Sequence, residues 1–239
     1  MKLAISGFYG KMGQRIAFIA QNDKKCKVVL GLECAGHPDL GIKNGIEVTS
    51  DPSQLKRCDC LIEFTTPEAT ILHLGYLVKF KKSAVIVTTG LSASDGKKIR
   101  SAAKKIPIVC SPNMSIGVNI LFKMLSEAAA VLKGYGVCVS EAHHLHKKDA
   151  PSGTAKKIVD VINEYGFALK YEDVAVVRDG EIVGDHKIVF ESDVDKIELF
   201  HSAKTRDIFA KGAVEAAKWL AGKKPGLYSM NDVLFGNME

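Results

Sequence analysis

The chain has 239 residues, of which 46% are apolar and 25% charged, and its formal net charge is +6. That length buries a sizeable core or two small domains, and the composition is that of an ordinary soluble globular protein. No window approaches the roughly 20 apolar residues of a membrane span, and the N-terminal apolar run is too short and glycine-interrupted for a signal peptide, so a cytoplasmic chain with no membrane partner is expected.

The basic residues come as dispersed pairs, among them Lys24-Lys25, Lys81-Lys82 and Lys223-Lys224, without an aromatic-rich patch. They read as solvated helix ends and loops, and no nucleic-acid partner is expected. The six cysteines lack CxxC pairs, so buried free thiols are expected rather than a structural metal centre.

The first half alternates β-rich runs with helical patterns. Strands are predicted at KLAIS (2–6), VVLGLE (28–33), CLIEF (60–64), AVIVTT (84–89) and PIVCS (107–111), with helices over 11–21, 67–80 and 93–104 between them. Such alternation builds a parallel sheet covered by helices on both faces. Beyond Pro112 the pattern changes to a helix over 117–132, a strand at VCVSEA, and a helix from Ser152 with Ala155, Ile158, Val159 and Ile162 on one face. Strand-like runs VAVVR, KIVFES and KIELFH follow, and Asp179-Gly180 is expected to make a tight turn joining the first two. The tail from Ile208 reads as helical again.

Gly7-Phe8-Tyr9-Gly10-Lys11-Met12-Gly13 follows the first strand and opens the first helix. A phosphate there meets backbone N–H groups and the positive end of the helix dipole, and glycines let the backbone approach closely. The spacing is a variant of the dinucleotide fingerprint, and alone it is a weak signal. Glu33 strengthens it by ending the second strand about 20 residues further on, where a carboxylate accepts from ribose hydroxyls. Cys34 follows where an arginine would suit a 2′-phosphate, which leans toward NADH; Lys11 or His37 could supply positive charge for NADPH. Thr88-Thr89-Gly90 and Ser111-Pro112-Asn113-Met114 stand at later strand ends, read either as cofactor loops or as an ordinary turn and linker.

The stretch Glu141–Ala155 concentrates His143, His144, His146, Lys147 and Lys148 before a helix start set by Pro151 and Ser152. The N–H groups of Gly153 and Thr154 would form an anion site that, with Lys147, holds a small dicarboxylate. A histidine there can donate the proton that a reductase needs beside the hydride-accepting carbon. A metal role for the histidines is disfavoured by the adjacent lysines, and a solvated loop is the plainer alternative.

The segment EAHHLHKKDAPSGTA resembles the signature of the 4-hydroxy-tetrahydrodipicolinate reductase family, also called dihydrodipicolinate reductases. Gly7–Gly13 resembles the family's GxxGxMG loop, Phe64-Thr65-Thr66-Pro67 its FTxP strand end, Thr88-Thr89-Gly90 its TTG loop and Asn113–Asn119 its hinge motif. The C-terminal FAKGAVEAAKWLAGKKPGLYSMNDVL is similar to the family's closing helix and tail. The resemblance implies a reductase of a cyclic dicarboxylate in lysine and diaminopimelate biosynthesis, using NADH or NADPH and associating as a homotetramer. It makes His143 the general acid, gives Lys147 a part in binding or protonation, and lets His144, Gly153 and Thr154 hold the carboxylates. Residues 7–12, Glu33, Val87–Thr89 and Ser111–Met114 would line the cofactor. Cys34 and Met114 depart from the arginine and the aromatic common at those positions.

The expected architecture is α/β. A Rossmann-like doubly wound parallel sheet forms a dinucleotide-binding domain over 1–113, completed by 206–239. An α+β domain with a mixed open sheet over 114–205 serves substrate binding and oligomerisation. The rival from another class is a non-catalytic NAD-binding redox regulator, which has no need of histidines and lysine beside a helix-terminal anion site.

Overall fold

Apolar runs in the N-terminal half become neighbouring parallel strands between helices that cover both faces. In the computed structural model, which describes residues 1–236, Met1–Ser115 and the residues from Phe209 form one compact unit and Ile116–Ile208 a second. The first unit opens with β1 (Lys2–Ser6), α1 (Lys11–Gln21), β2 (Lys27–Leu32), β3 (Gly41–Lys43), β4 (Ile46–Thr49), β5 (Cys60–Glu63), α2 (Pro67–Phe80), β6 (Ser83–Ile86), α3 (Ala93–Ala103) and β7 (Pro107–Cys110). The strands β5 and β6 are buried at every residue, as expected where helices cover both faces. Val85 and Ile62 face a core shared with α1, whereas Ala84 and Leu61 face one shared with α2 and α3.

Local chemistry fixes the helix ends. The Thr66 hydroxyl accepts from the Ala69 N–H at 3.3 Å and Pro67 presets the first turn of α2. A capping box between Ser92 and Asp95 starts α3. The strand predicted at 84–89 ends at Ile86, leaving Val87–Thr89 as a loop beyond the sheet's carboxyl edge.

The second unit comprises α4 (Ile116–Val131), β8 (Gly136–His143), α5 (Gly153–Asn163), β9 (Ala175–Arg178), β10 (Gly184–Glu191) and β11 (Lys196–Ala203). Its sheet runs β11-β10-β8-β9. Here the strands alternate: Gly184, His186, Ile188 and Phe190 are buried and their neighbours are less so. The core gathers Leu121 and Leu125 from α4, Ile158 and Ile162 from α5, and Val139, Ile188 and Phe190 from the sheet.

The tail supplies α6 (Asp207–Trp219), β12 (Gly226–Tyr228) and α7 (Met230–Phe235). The first unit's sheet then has eight strands in the order β12-β7-β6-β5-β1-β2-β4-β3. It is parallel apart from β3, which pairs antiparallel with β4. With the mixed four-stranded sheet, this is the expected α/β class: a Rossmann-like doubly wound sheet plus an α+β domain.

Three local readings need correction. Asp179-Gly180 does not join neighbouring strands: β8 lies between β9 and β10, pairing parallel with β9 and antiparallel with β10. Parallel pairing requires a crossover, and α5 provides it, so β8-α5-β9 is a βαβ unit whose helix starts beyond the carboxyl end of β8. The tail is not wholly helical, because β12 pairs with β7. The hairpin β3-β4, turning at Asn44-Gly45 with φ of 51° and 76°, is absent from the sequence reading although Asn-Gly is a strong hairpin signal. Cysteine burial is also only partly as expected. Burial pushes the Cys58 and Cys60 thiols up to about 12, but Cys34 and Cys138 are exposed.

Candidate active site

Two constellations carry chemistry, one in each unit. In the first unit, Gly7 adopts φ of +68° after β1, and its N–H and that of Phe8 both donate to the Leu32 carbonyl. Gly10 caps α1 without a side-chain hydrogen bond, and no acidic residue stands in the first turn. A Cβ on Gly13 would lie 2.1 Å from the Gly7 carbonyl oxygen, so the helix packs against the loop only because glycine is there. This cradle fits an anionic phosphate.

Glu33 lies beyond β2, where its Oε1 accepts from the Tyr9 N–H at 3.1 Å. Tyr9 stacks on His37 with centroids 4.8 Å apart, and the Lys43 ammonium stands 4.7 Å from the Tyr9 ring centre. Beneath the loop, the buried Glu63 accepts from Thr65 and pairs with His73 Nδ1 at 2.7 Å. The predicted cofactor residues Phe8, Val87 and Met114 are buried side chains. What they offer a ligand is backbone. Thr88 is tied to Thr70 through a 2.7 Å hydroxyl contact, whereas Thr89 and Pro112 are exposed. The Ser111 hydroxyl donates to the Asn113 carbonyl at 2.9 Å.

In the second unit, β8 carries Val139, Glu141 and His143 inward on one face by its two-residue period. Opposite Glu141 on β10 stands His186, and beyond it on β11 stands His201. Glu141 accepts from the Ser152 N–H at 3.0 Å and from the Arg178 guanidinium at 3.0 Å. Burial works against its charge, but those hydrogen bonds prevail and hold its carboxyl below the ordinary range. Burial lowers His143, against the pull of Glu141, and it takes His186 down to about 4. Glu141, His143 and His186 place donor atoms within 4.8 Å of one another, a spacing that could gather a cation. Arg178 already supplies compensating positive charge there.

The loop after β8 is held by the β9–β10 connection: Asp179 N–H donates to the His143 carbonyl and His144 N–H to the Ile182 carbonyl. Lys147 reaches Asp149 at 2.8 Å, and His144 Nε2 lies 3.5 Å from an Arg206 guanidinium nitrogen. The bond Ala150-Pro151 is cis. Ser152 caps α5 by accepting from the Ala155 N–H, leaving the exposed Gly153 and the half-buried Thr154 in the first turn. Lys147, His144, Gly153 and Thr154 therefore all follow β8 in one connection, with His143 closing the strand itself.

The sequence alone singles out neither His186, Arg178, Gly184 nor Arg206, and it gives Glu141 no role. The signal for His186 lies in HKIVFE, where the period of two puts its imidazole in line with Ile188 and Phe190, and a buried polar group needs a partner.

Residues 1–114 match the family model for "Dihydrodipicolinate reductase, N-terminus", and residues 117–234 match that for "Dihydrodipicolinate reductase, C-terminus". The chain is 41% identical to the 4-hydroxy-tetrahydrodipicolinate reductase of Aquifex aeolicus (strain VF5), over 98% of each chain. It is 38% identical to that of Syntrophotalea carbinolica, again over 98% of each. The dipicolinate-bound dihydrodipicolinate reductase from Paenisporosarcina sp. TG-14 shares the fold with a TM-score of 0.85 at 24% identity, covering 96% of this chain and 97% of that one.

Proposed function

This chain belongs to the dihydrodipicolinate reductase family, an NAD(P)H-dependent oxidoreductase family acting in lysine and diaminopimelate biosynthesis, and from that premise we propose how its residues divide the reduction of 4-hydroxy-tetrahydrodipicolinate to tetrahydrodipicolinate. The first unit holds the nicotinamide cofactor. Residues Gly7–Met12 cradle its pyrophosphate at the start of α1, Glu33 accepts from the adenosine ribose, and Val87–Thr89 with Ser111–Met114 meet the nicotinamide end. The glycine approach at Gly13 supports this fit, because any side chain there would close the cradle. When bound, the reduced cofactor supplies hydride to the ring.

The second unit holds the substrate and delivers the proton. Gly153 and Thr154 present the start of α5 to a carboxylate, and Lys147 with His144 adds positive charge and hydrogen bonds. His143 is the proton donor. The observation that carries this assignment is its position at the carboxyl end of β8, from which one short connection leads to the helix start that binds the anion. Burial keeps its imidazolium acidic, which favours proton release to carbon.

The cofactor preference leans to NADH. Glu33 occupies the ribose position and the exposed Cys34 beside it offers no charge to a 2′-phosphate. Assembly as a homotetramer is supported by the face of the four-stranded sheet away from α4 and α5, where Phe200 is 61% and Val177 50% exposed. No described helix is long and apolar enough to cross a membrane.

The test is loss of NADH, and separately NADPH, absorbance when substrate is generated in place from pyruvate and aspartate semialdehyde by a condensing synthase. Oxidation that requires both the synthase and this chain establishes the activity, and faster NADH than NADPH oxidation establishes the preference. Binding of either cofactor without oxidation refutes the assignment of roles.

A further inference from the structure

Glu141 is buried to 2% exposure, and burying an ionised carboxylate is costly unless it is fully paired. Only half of it is. Oε1 accepts from the Ser152 N–H and from Arg178. Among the described residues Oε2 has no hydrogen-bond partner, and neither has the buried His143 Nδ1. These two orphaned atoms face one another at 3.4 Å, and Oε2 also lies 3.8 Å from His186 Nε2. A pair at that distance closes to a hydrogen bond with a small movement, as catalytic contacts do on substrate binding.

We propose that Glu141 is a positioning residue, one buried carboxylate that orients the His143 ring through Nδ1 and at the same time tethers the start of α5 through the Ser152 N–H. The inference rests on the reading of His143 as proton donor. With Nδ1–H directed at Oε2, the nitrogen that gains and loses the transferable proton is Nε2. In the reaction the Nε2–H bond breaks, a C–H bond forms at the substrate carbon, and His143 is left neutral with its remaining proton on Nδ1. A proton from solvent then restores Nε2–H.

The other groups around His143 are compatible with this role. Arg178 from β9 neutralises the carboxylate through the oxygen that His143 does not use. His186 from β10, edge-on to His143 at 5.3 Å, stays uncharged at neutral pH, so it does not compete for Oε2 as a cation. Lys147 and Asp149 act from the loop with opposite signs. Because Ser152 is the residue before α5, the same carboxylate sets the proton donor and the anion-binding helix start in one frame.

The experiment is 15N NMR of the imidazoles in the full-length protein, together with the pH profile of kcat for wild type, Glu141→Gln and His143→Ala. Neutral His143 in the wild type is expected to carry its proton on Nδ1; a proton on Nε2 overturns the proposal, and this measurement needs no variant. Glu141→Gln is expected to lower kcat by about tenfold or more and to move the loss of activity with rising pH to lower pH, because a negative neighbour of the imidazolium has gone. The KM for NADH should stay within about twofold of wild type. An unmoved pH profile overturns the proposal, since a merely structural role would lower activity without shifting it. Should Glu141→Gln fail to fold, the wild-type tautomer decides. If His143→Ala keeps wild-type turnover, the proton-donor reading fails instead, whatever the tautomer.

Discussion

Gly184 stands across the β8–β10 pair from His143, one step beyond the pairing of Asp185 with Ala142, and a Cβ built on it would lie 2.9 Å from the imidazole Nε2. The ring therefore occupies space that only glycine leaves open. Gly184→Ala is expected to displace the imidazole and lower kcat by about tenfold to a hundredfold, because small misplacement of a reacting group is costly. NADH binding, followed by fluorescence titration, should be unchanged. Wild-type kcat in a folded Gly184→Ala protein would remove His143 from the chemistry.

His143→Ala removes the proposed proton donor itself, so turnover should fall about a hundredfold or more while cofactor affinity holds. Steady-state kinetics against both substrates separates the two. Wild-type turnover with weakened NADH binding would assign the residue to the wrong task.

Lys147 is half-buried and paired with Asp149 at 2.8 Å, a contact that a dicarboxylate can share or replace. Lys147→Ala should raise the KM for substrate and the inhibition constant of pyridine-2,6-dicarboxylate together, each by about tenfold, which is the worth of one charge-assisted hydrogen bond. Unchanged inhibition would place the anion site elsewhere.

Stability should fall on mild acidification. The His186 ring is 4% exposed and burial takes it from an ordinary value of 6.5 down to about 4, so between those pH values the unfolded chain binds the proton and the folded chain refuses it. Folding stability therefore rises with pH across that window, and at pH 4.5 this one residue costs about 2 to 3 kcal/mol relative to pH 7. His143 and His201, lowered in the same sense, add to the slope. Urea unfolding at pH 7 and pH 4.5 measures it, and His186→Gln should flatten it; equal stability at both pH values would show that water or a partner solvates the ring.

Gly13→Ala places a Cβ 2.1 Å from a backbone oxygen and 2.8 Å from another, so α1 must move off the Gly7 loop. Loss of detectable NADH binding is expected, with destabilisation of about 2 kcal/mol or more from overpacking. Thermal unfolding with and without NADH reads both effects at once.

Much of this was legible in the sequence because the signals were local. The stretch from Lys11 to Gln21 has a helical period, Ser152 is followed by an apolar helical face, and the glycines of the first loop stand between a strand and a helix, so the elements follow from local spacing, while the expectation of a cofactor cradle there also leans on Glu33. What escaped depends on which strands become neighbours. Whether Asp179-Gly180 makes a hairpin is decided by β8 entering between β9 and β10, and no local pattern encodes that. His186 joins Glu141 and His143 only through cross-strand register, with more than forty positions intervening. Arg178 reaches Glu141 from the other neighbour of the same strand. The loop proposed to carry the chemistry was readable; the row of buried partners beneath it needed the sheet.

The pairing of β12 with β7 sets a timetable for synthesis. As the chain leaves the ribosome, β7 emerges with one edge bare, and the strand that covers it follows only after all of Ile116–Ile208 has been made. The middle unit is contiguous and has every strand of its own sheet in hand by Ala203. The sheet begun first thus carries an open edge through about half of translation, the condition that invites pairing with another nascent chain. The two units are completed in the reverse of the order in which they are started.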